Sequence, residues 1–146
     1  MIDQLKEVLP NAVFFLPATM EQIIDAEKKL TIGFPAAIKE LYLLCNGIRE
    51  GIGNAEYLFP LFEDDGCGTL VSNNKYLWNE YPNRQIAELL RGYLFFGSSS
   101  GDEFWGINYK SEDKLVSFHH SYEDGPEPID CHTILELFSD DQRKYV

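Results

Sequence analysis

Between residues 93 and 119, three short runs of aromatic and branched residues, 93–96, 103–109 and 115–119, are separated by turn chemistry. In the middle run Trp105, Ile107 and Tyr109 alternate with other residues and share one face, which is the period of a strand. Three such runs predict an antiparallel meander. The first third of the chain has a different period. Thr19-Met-Glu-Gln22 has the spacing of a capping box, and Met20, Ile23, Ile24, Glu27 and Leu30 or Thr31 recur as an inward stripe, predicting a helix over about 20–30. Phe34-Pro35 opens a second helix with Ile38, Leu41, Tyr42 and Cys45 inward, and Asn46-Gly47 reads as its C-terminal stop. Helices therefore precede strands in a chain read as one domain over 1–146, with its core at about 19–138.

The middle is less patterned. Residues 48–54 read as a glycine-rich loop, 57–62 as a strand that Pro60 places at an edge, and Glu63-Asp64-Asp65 as an acidic turn. A helix over 70–81 ends at Pro82, with a further turn or two over 85–91. The aromatics Tyr76, Trp78 and Tyr81 are read as core rather than interface. Residues 124–128 form a loop, and 131–138 a final helix with Ile134, Leu135 and Phe138 inward.

Charge narrows the function classes. Twenty-four Asp and Glu against 12 Lys and Arg leave a formal charge of -12, a surface that repels nucleic-acid backbones and anionic membranes and attracts basic proteins. Acidity by itself also serves solubility. The N-terminus lacks a basic leader, and no apolar run approaches the ~18 residues of a membrane span, so a cytoplasmic protein is expected. Three cysteines without C-x-x-C spacing read as reduced thiols. No metal or cofactor is expected; His119 and His120, adjacent on a strand, would point to opposite faces.

Gly97-Ser-Ser-Ser-Gly101 matches the G-x-S-x-G nucleophile turn, with Ser99 as the nucleophile. That turn requires a helix directly after it, whereas strand periodicity follows here. The stretch lacks a P-loop lysine, and Asp102 and Glu103 would oppose a phosphate. Glu27, a carboxylate on an inward stripe, reads as a boundary residue hydrogen-bonded to neighbouring backbone rather than a catalytic acid. No catalytic residue is assigned.

Several segments together carry a family resemblance: Ile24-Asp-Ala-Glu27 through Gly33-Phe-Pro35, the helix end Leu-Leu-Cys-Asn46-Gly47, and Phe96-Gly97 leading to Gly101-Asp102-Glu-Phe-Trp105-Gly-Ile-Asn108. In this order they resemble the SMI1/KNR4 family of the SUKH superfamily, departing from it at Phe34, where leucine is more usual. The resemblance implies an α+β fold with helices packed on a mostly antiparallel, curled sheet. It assigns structural roles to Glu27, Pro35, Asn46, Gly47, Gly97, Gly101, Asp102 and Trp105. It also implies binding rather than catalysis: many bacterial members look like immunity proteins that neutralise a cognate toxin domain, often a nuclease. A basic toxin would meet Glu63, Asp64 and Asp65 in one loop, Asp102 and Glu103 in a turn, and Glu123 and Asp124 in another. The alternatives are a regulatory adaptor, as fungal members look to be, and an unrecognised hydrolase using Ser99 or Glu27.

Overall fold

The computed structural model describes residues 1–51, 55–62, 68–99, 102–111 and 114–144, the last five as backbone only. A short helix α1 (Ile2–Val8) and a two-residue strand β1 (Val13–Phe14) come first. No sequence signal marks α1, which has no side-chain cap; Leu5 and Leu9, buried in the common core, hold it in place.

Helix α2 (Met20–Leu30) starts at the predicted capping box. Thr19 Oγ1 accepts the Gln22 N–H at 3.1 Å, and the Gln22 side chain accepts the Thr19 N–H at 2.9 Å. Its buried arc is Ile23, Ala26 and Leu30, whereas Met20 and Ile24, expected inward, are 47% and 42% exposed. The helical rotation of about 100° per residue carries Ile24 past the edge of that arc. Helix α3 (Ala36–Leu44) begins after Pro35 and buries Ile38, Leu41 and Tyr42, with Cys45 buried at its end, as expected.

Asn46-Gly47 is not a left-handed cap. Cys45 ends the helix in extended geometry, and Gly47, at φ +134°, lets the chain pass Phe15, whose ring a Cβ there would meet at 2.6 Å. The segment read as loop therefore opens with a strand, β2 (Ile48–Arg49), antiparallel to β1. Residues 57–61 are buried without alternation. Leu58 bridges to Ile48 and the Phe59 N–H donates to Phe96 O at 2.8 Å, so the expected edge strand is a buried cross-piece with neighbours on both sides.

Helix α4 (Leu70–Lys75) runs into a π turn (Tyr76–Glu80), together the predicted helix, and α5 (Arg84–Leu90) follows Pro82. Trp78 is buried and Tyr81 half-buried, but Tyr76 is exposed rather than core. Strands β3 (Tyr93–Ser98), β4 (Phe104–Asn108) and β5 (Leu115–Phe118) form the predicted meander. A fourth strand, β6 (Glu127–Pro128), lies where a loop was read, because Val116 and Ser117 pair with it. The final helix α6 (Ile134–Lys144) starts at Ile134 rather than Cys131. Thr133 Oγ1 accepts the Glu136 N–H and Glu136 Oε2 accepts the His132 N–H, a local cap that sets this boundary. Among its described side chains Leu137 and Phe138 are buried, and Ile134 and Leu135 are half-buried.

One hydrophobic cluster, to which β3, β4 and β5 of the four-stranded antiparallel sheet contribute, joins these elements into a single α+β domain. Within that cluster Tyr57, Trp105 and Phe138 meet with ring centroids 5.4–5.9 Å apart.

Candidate interaction surface

In an antiparallel meander alternate connections fall at the same end of the sheet. The β3–β4 turn, carrying Asp102 and Glu103, and the β5–β6 turn, carrying Glu123 and Asp124, are therefore neighbours. Ser99 organises the first: its N–H donates to Glu103 O at 2.9 Å, its carbonyl accepts the Asp102 N–H at 3.2 Å, and its buried hydroxyl accepts the Glu103 N–H at 3.3 Å. Asp102 sits exposed in the left-handed region at φ +62°, which aspartate tolerates better than most residues. Ser99 thus lies between two antiparallel strands, not on the strand-to-helix turn that exposes a nucleophile.

The two turns are tied together. The Tyr122 hydroxyl donates to Glu103 Oε2 at 2.7 Å across 19 positions of sequence. Burial, then this carboxylate, raise the Tyr122 pKa above that of an ordinary phenol, so the tyrosine stays a donor. Glu123, Asp124 and Glu127 stand exposed beside it. No lysine or arginine occurs between Arg91 and Lys110 or between Lys114 and Arg143, so the chain supplies no cation from these turns. His119 and His120 lie in the second turn with ring centroids 4.0 Å apart, not on opposite faces, because the chain leaves the strand at Phe118. No sequence spacing links Tyr122 to Glu103, and sequence reasoning missed Tyr122 and Glu127 here.

Of the other expected contact residues, Glu63, Asp64 and Asp65 lie outside the described residues, as does Gly101. Glu27 Oε2 accepts the Phe34 N–H at 2.7 Å and lies 3.5 Å from Lys39 Nζ. Pro35 is the buried N-cap of α3, and Asn46 Oδ1 accepts the Leu61 N–H at 3.0 Å. Gly97 lies against the cross-piece, where a Cβ would come within 2.0 Å of Tyr57 O. Among the described residues no group of three or more His, Cys, Asp or Glu is placed to hold a metal ion, and no helix is long and apolar enough to cross a membrane.

The model of the SMI1 / KNR4 family (SUKH-1) matches residues 17–140, most of the chain and all of the elements from α2 to the body of α6. No curated protein matches the sequence.

Proposed function

We propose, on the premise that this chain belongs to the SMI1/KNR4 family (SUKH-1), that it is an immunity protein that binds and occludes a basic toxin domain. The observation that carries this reading is the pair of acidic turns joined by the bond between Tyr122 and Glu103. Two hairpin ends held in fixed relation present carboxylates from both, and a preorganised anionic surface accelerates encounter with a basic partner. A nuclease, whose cleft is built for a polyanion, fits such a surface best. In this proposal Glu63, Asp64 and Asp65 also meet the partner, and the protein works in the cytoplasm, where the toxin would act. Binding, not turnover, is its activity, since a partner that is occluded needs no bond broken.

The test is to co-express the protein with the C-terminal domain encoded beside its gene and to measure growth rescue and affinity. Rescue with tight one-to-one binding, lost in the Asp102→Asn, Glu103→Gln, Glu123→Gln, Asp124→Asn variant, supports the proposal. A toxic neighbour that is neither bound nor neutralised overturns it.

A further inference from the structure

A second surface lies on the helix pair. Glu27 Oε2 of α2 and Lys39 Nζ of α3 stand 3.5 Å apart, which identifies the flanks by which the two helices adjoin. Met20 and Ile24 share the flank of Glu27, and Leu43, one turn after Lys39, shares the flank of Lys39. The helices run antiparallel, since the Ala18 N–H, just before α2, donates to Tyr42 O near the end of α3 at 2.9 Å. One turn on from the ion pair, Leu43 therefore comes level with Ile24 and Met20. All three side chains are exposed, and together they form an apolar strip open to solvent.

Charges on the same face select the occupant. Asp25 pairs with Lys29 and Glu27 with Lys39, but Glu21 and Lys28, both exposed, have no ion-pair partner among the described residues. Seven residues are almost two whole turns, so these two side chains leave the helix in nearly the same direction, about 10 Å apart along its axis. Ile24 lies level with the midpoint between them. A two-fold contact repeats one surface on both partners, so it is complementary where acid and base stand at equal distances on either side of an apolar centre. Turning a second α2 about a two-fold axis at Ile24 presents its Lys28 to Glu21 and its Glu21 to Lys28, and sets Ile24 against its counterpart. The overall charge of -12 repels a second copy at a distance, but physiological salt confines that repulsion to about 8 Å. We propose that this face of α2, with Leu43 of α3 beside it, is the contact of an antiparallel dimer with a second copy of this chain. The contact shares no residue with the acidic turns and does not depend on a toxin partner.

Sedimentation equilibrium of the full-length protein over a range of concentrations tests this. A monomer–dimer equilibrium is expected, and Ile24→Asp, at an exposed position, should abolish it while leaving the far-ultraviolet circular dichroism unchanged. Glu21→Lys and Lys28→Glu each place like charges at both symmetric pairs and should weaken the dimer at least about tenfold. Glu21→Lys also makes the chain less negative, so weaker association in that variant reports local repulsion and not overall charge. The double variant Glu21→Lys, Lys28→Glu exchanges the two charges without changing their sum and should dimerise as the wild type does. A chain that stays monomeric at millimolar concentration overturns the proposal, as does a dimer that tolerates Ile24→Asp. Single reversals that leave the dimer unchanged, or a double variant no tighter than the single ones, reject the antiparallel pairing of Glu21 with Lys28 and the proposal with it.

Discussion

Asn74 serves Phe95 as a neighbouring strand would: its Oδ1 accepts the Phe95 N–H and its Nδ2 donates to Phe95 O, both at 2.8 Å. The same Nδ2 reaches Leu70 O at 2.7 Å, and the side chain is fully buried. A little further along this edge Trp78 Nε1 donates to Tyr93 O at 3.0 Å. A register shift between Phe95 and Gly97 then changes which residues face outward. Beyond it Phe96 O accepts the Phe59 N–H and the Ser98 N–H donates to Glu56 O. Helix side chains thus cover one half of the β3 edge and the cross-piece the other, so β3 presents no open edge to another chain.

Asn74→Ala leaves the Phe95 N–H and carbonyl buried without a partner, and each such group costs about 1–3 kcal/mol. A loss of about 3 kcal/mol is expected in urea unfolding. A change under about 0.5 kcal/mol would show that Asn74 does not carry the edge.

At Gly97 the backbone itself is the obstacle, since a Cβ would stand 2.0 Å from Tyr57 O and 2.6 Å from Tyr57 C. Gly97→Ala must push the cross-piece away from β3, and a loss of about 3 kcal/mol or more is expected, read as a lower thermal midpoint. Wild-type stability in this variant would refute the close approach.

Glu27 joins α2 to the start of α3 through the Phe34 N–H. Glu27→Gln keeps an acceptor and should stay within about 0.5 kcal/mol of wild type, whereas Glu27→Ala should cost about 1–2 kcal/mol. The half-exposed pair with Lys39 adds little. Equal losses in the two variants would point to the charge instead of the hydrogen bond.

Burial pushes the Cys45 thiol up to about 11. The folded state therefore holds this proton more tightly than the unfolded state, whose thiol titrates near 8.5. The resulting stability is complete below about pH 8.5 and is lost as pH rises through about 11. Modification of Cys45 by a thiol reagent at pH 8 should await unfolding, so labelling of this residue, located by peptide mapping, should track the denaturant transition. Rapid labelling of the folded protein would contradict this.

If the acidic turns steer a basic partner, neutralising Asp102, Glu103, Glu123 and Asp124 should slow association about tenfold at low ionic strength, and the difference should shrink as salt rises. Stopped-flow mixing at two salt concentrations measures both. Tyr122→Phe tests the tie between the turns: it leaves every charge in place, so reduced affinity there would report lost preorganisation.

The helix pair and the meander were legible in the sequence because neighbours encode them. The capping box at Thr19 acts over three residues, the stripe Ile38, Leu41 and Tyr42 over one or two turns, and the alternation at Trp105 and Ile107 over two. The same local reading placed a strand-to-strand connection after Gly97. It misjudged Ile24 and the Asn46-Gly47 turn, where neighbouring elements decided which face was covered and how the chain left the helix.

What the tertiary structure alone decided are the pairings between distant positions. Nothing near β1 announces its pairing with β2, and nothing near Asn74 or Tyr122 announces Phe95 or Glu103, 21 and 19 positions away. Helix caps and periodicities are short-range energies that a window of residues contains. A buried strand edge or a shielded hydroxyl, by contrast, needs a partner only once the chain is compact, and that partner is whichever group the packing of the core brings within reach.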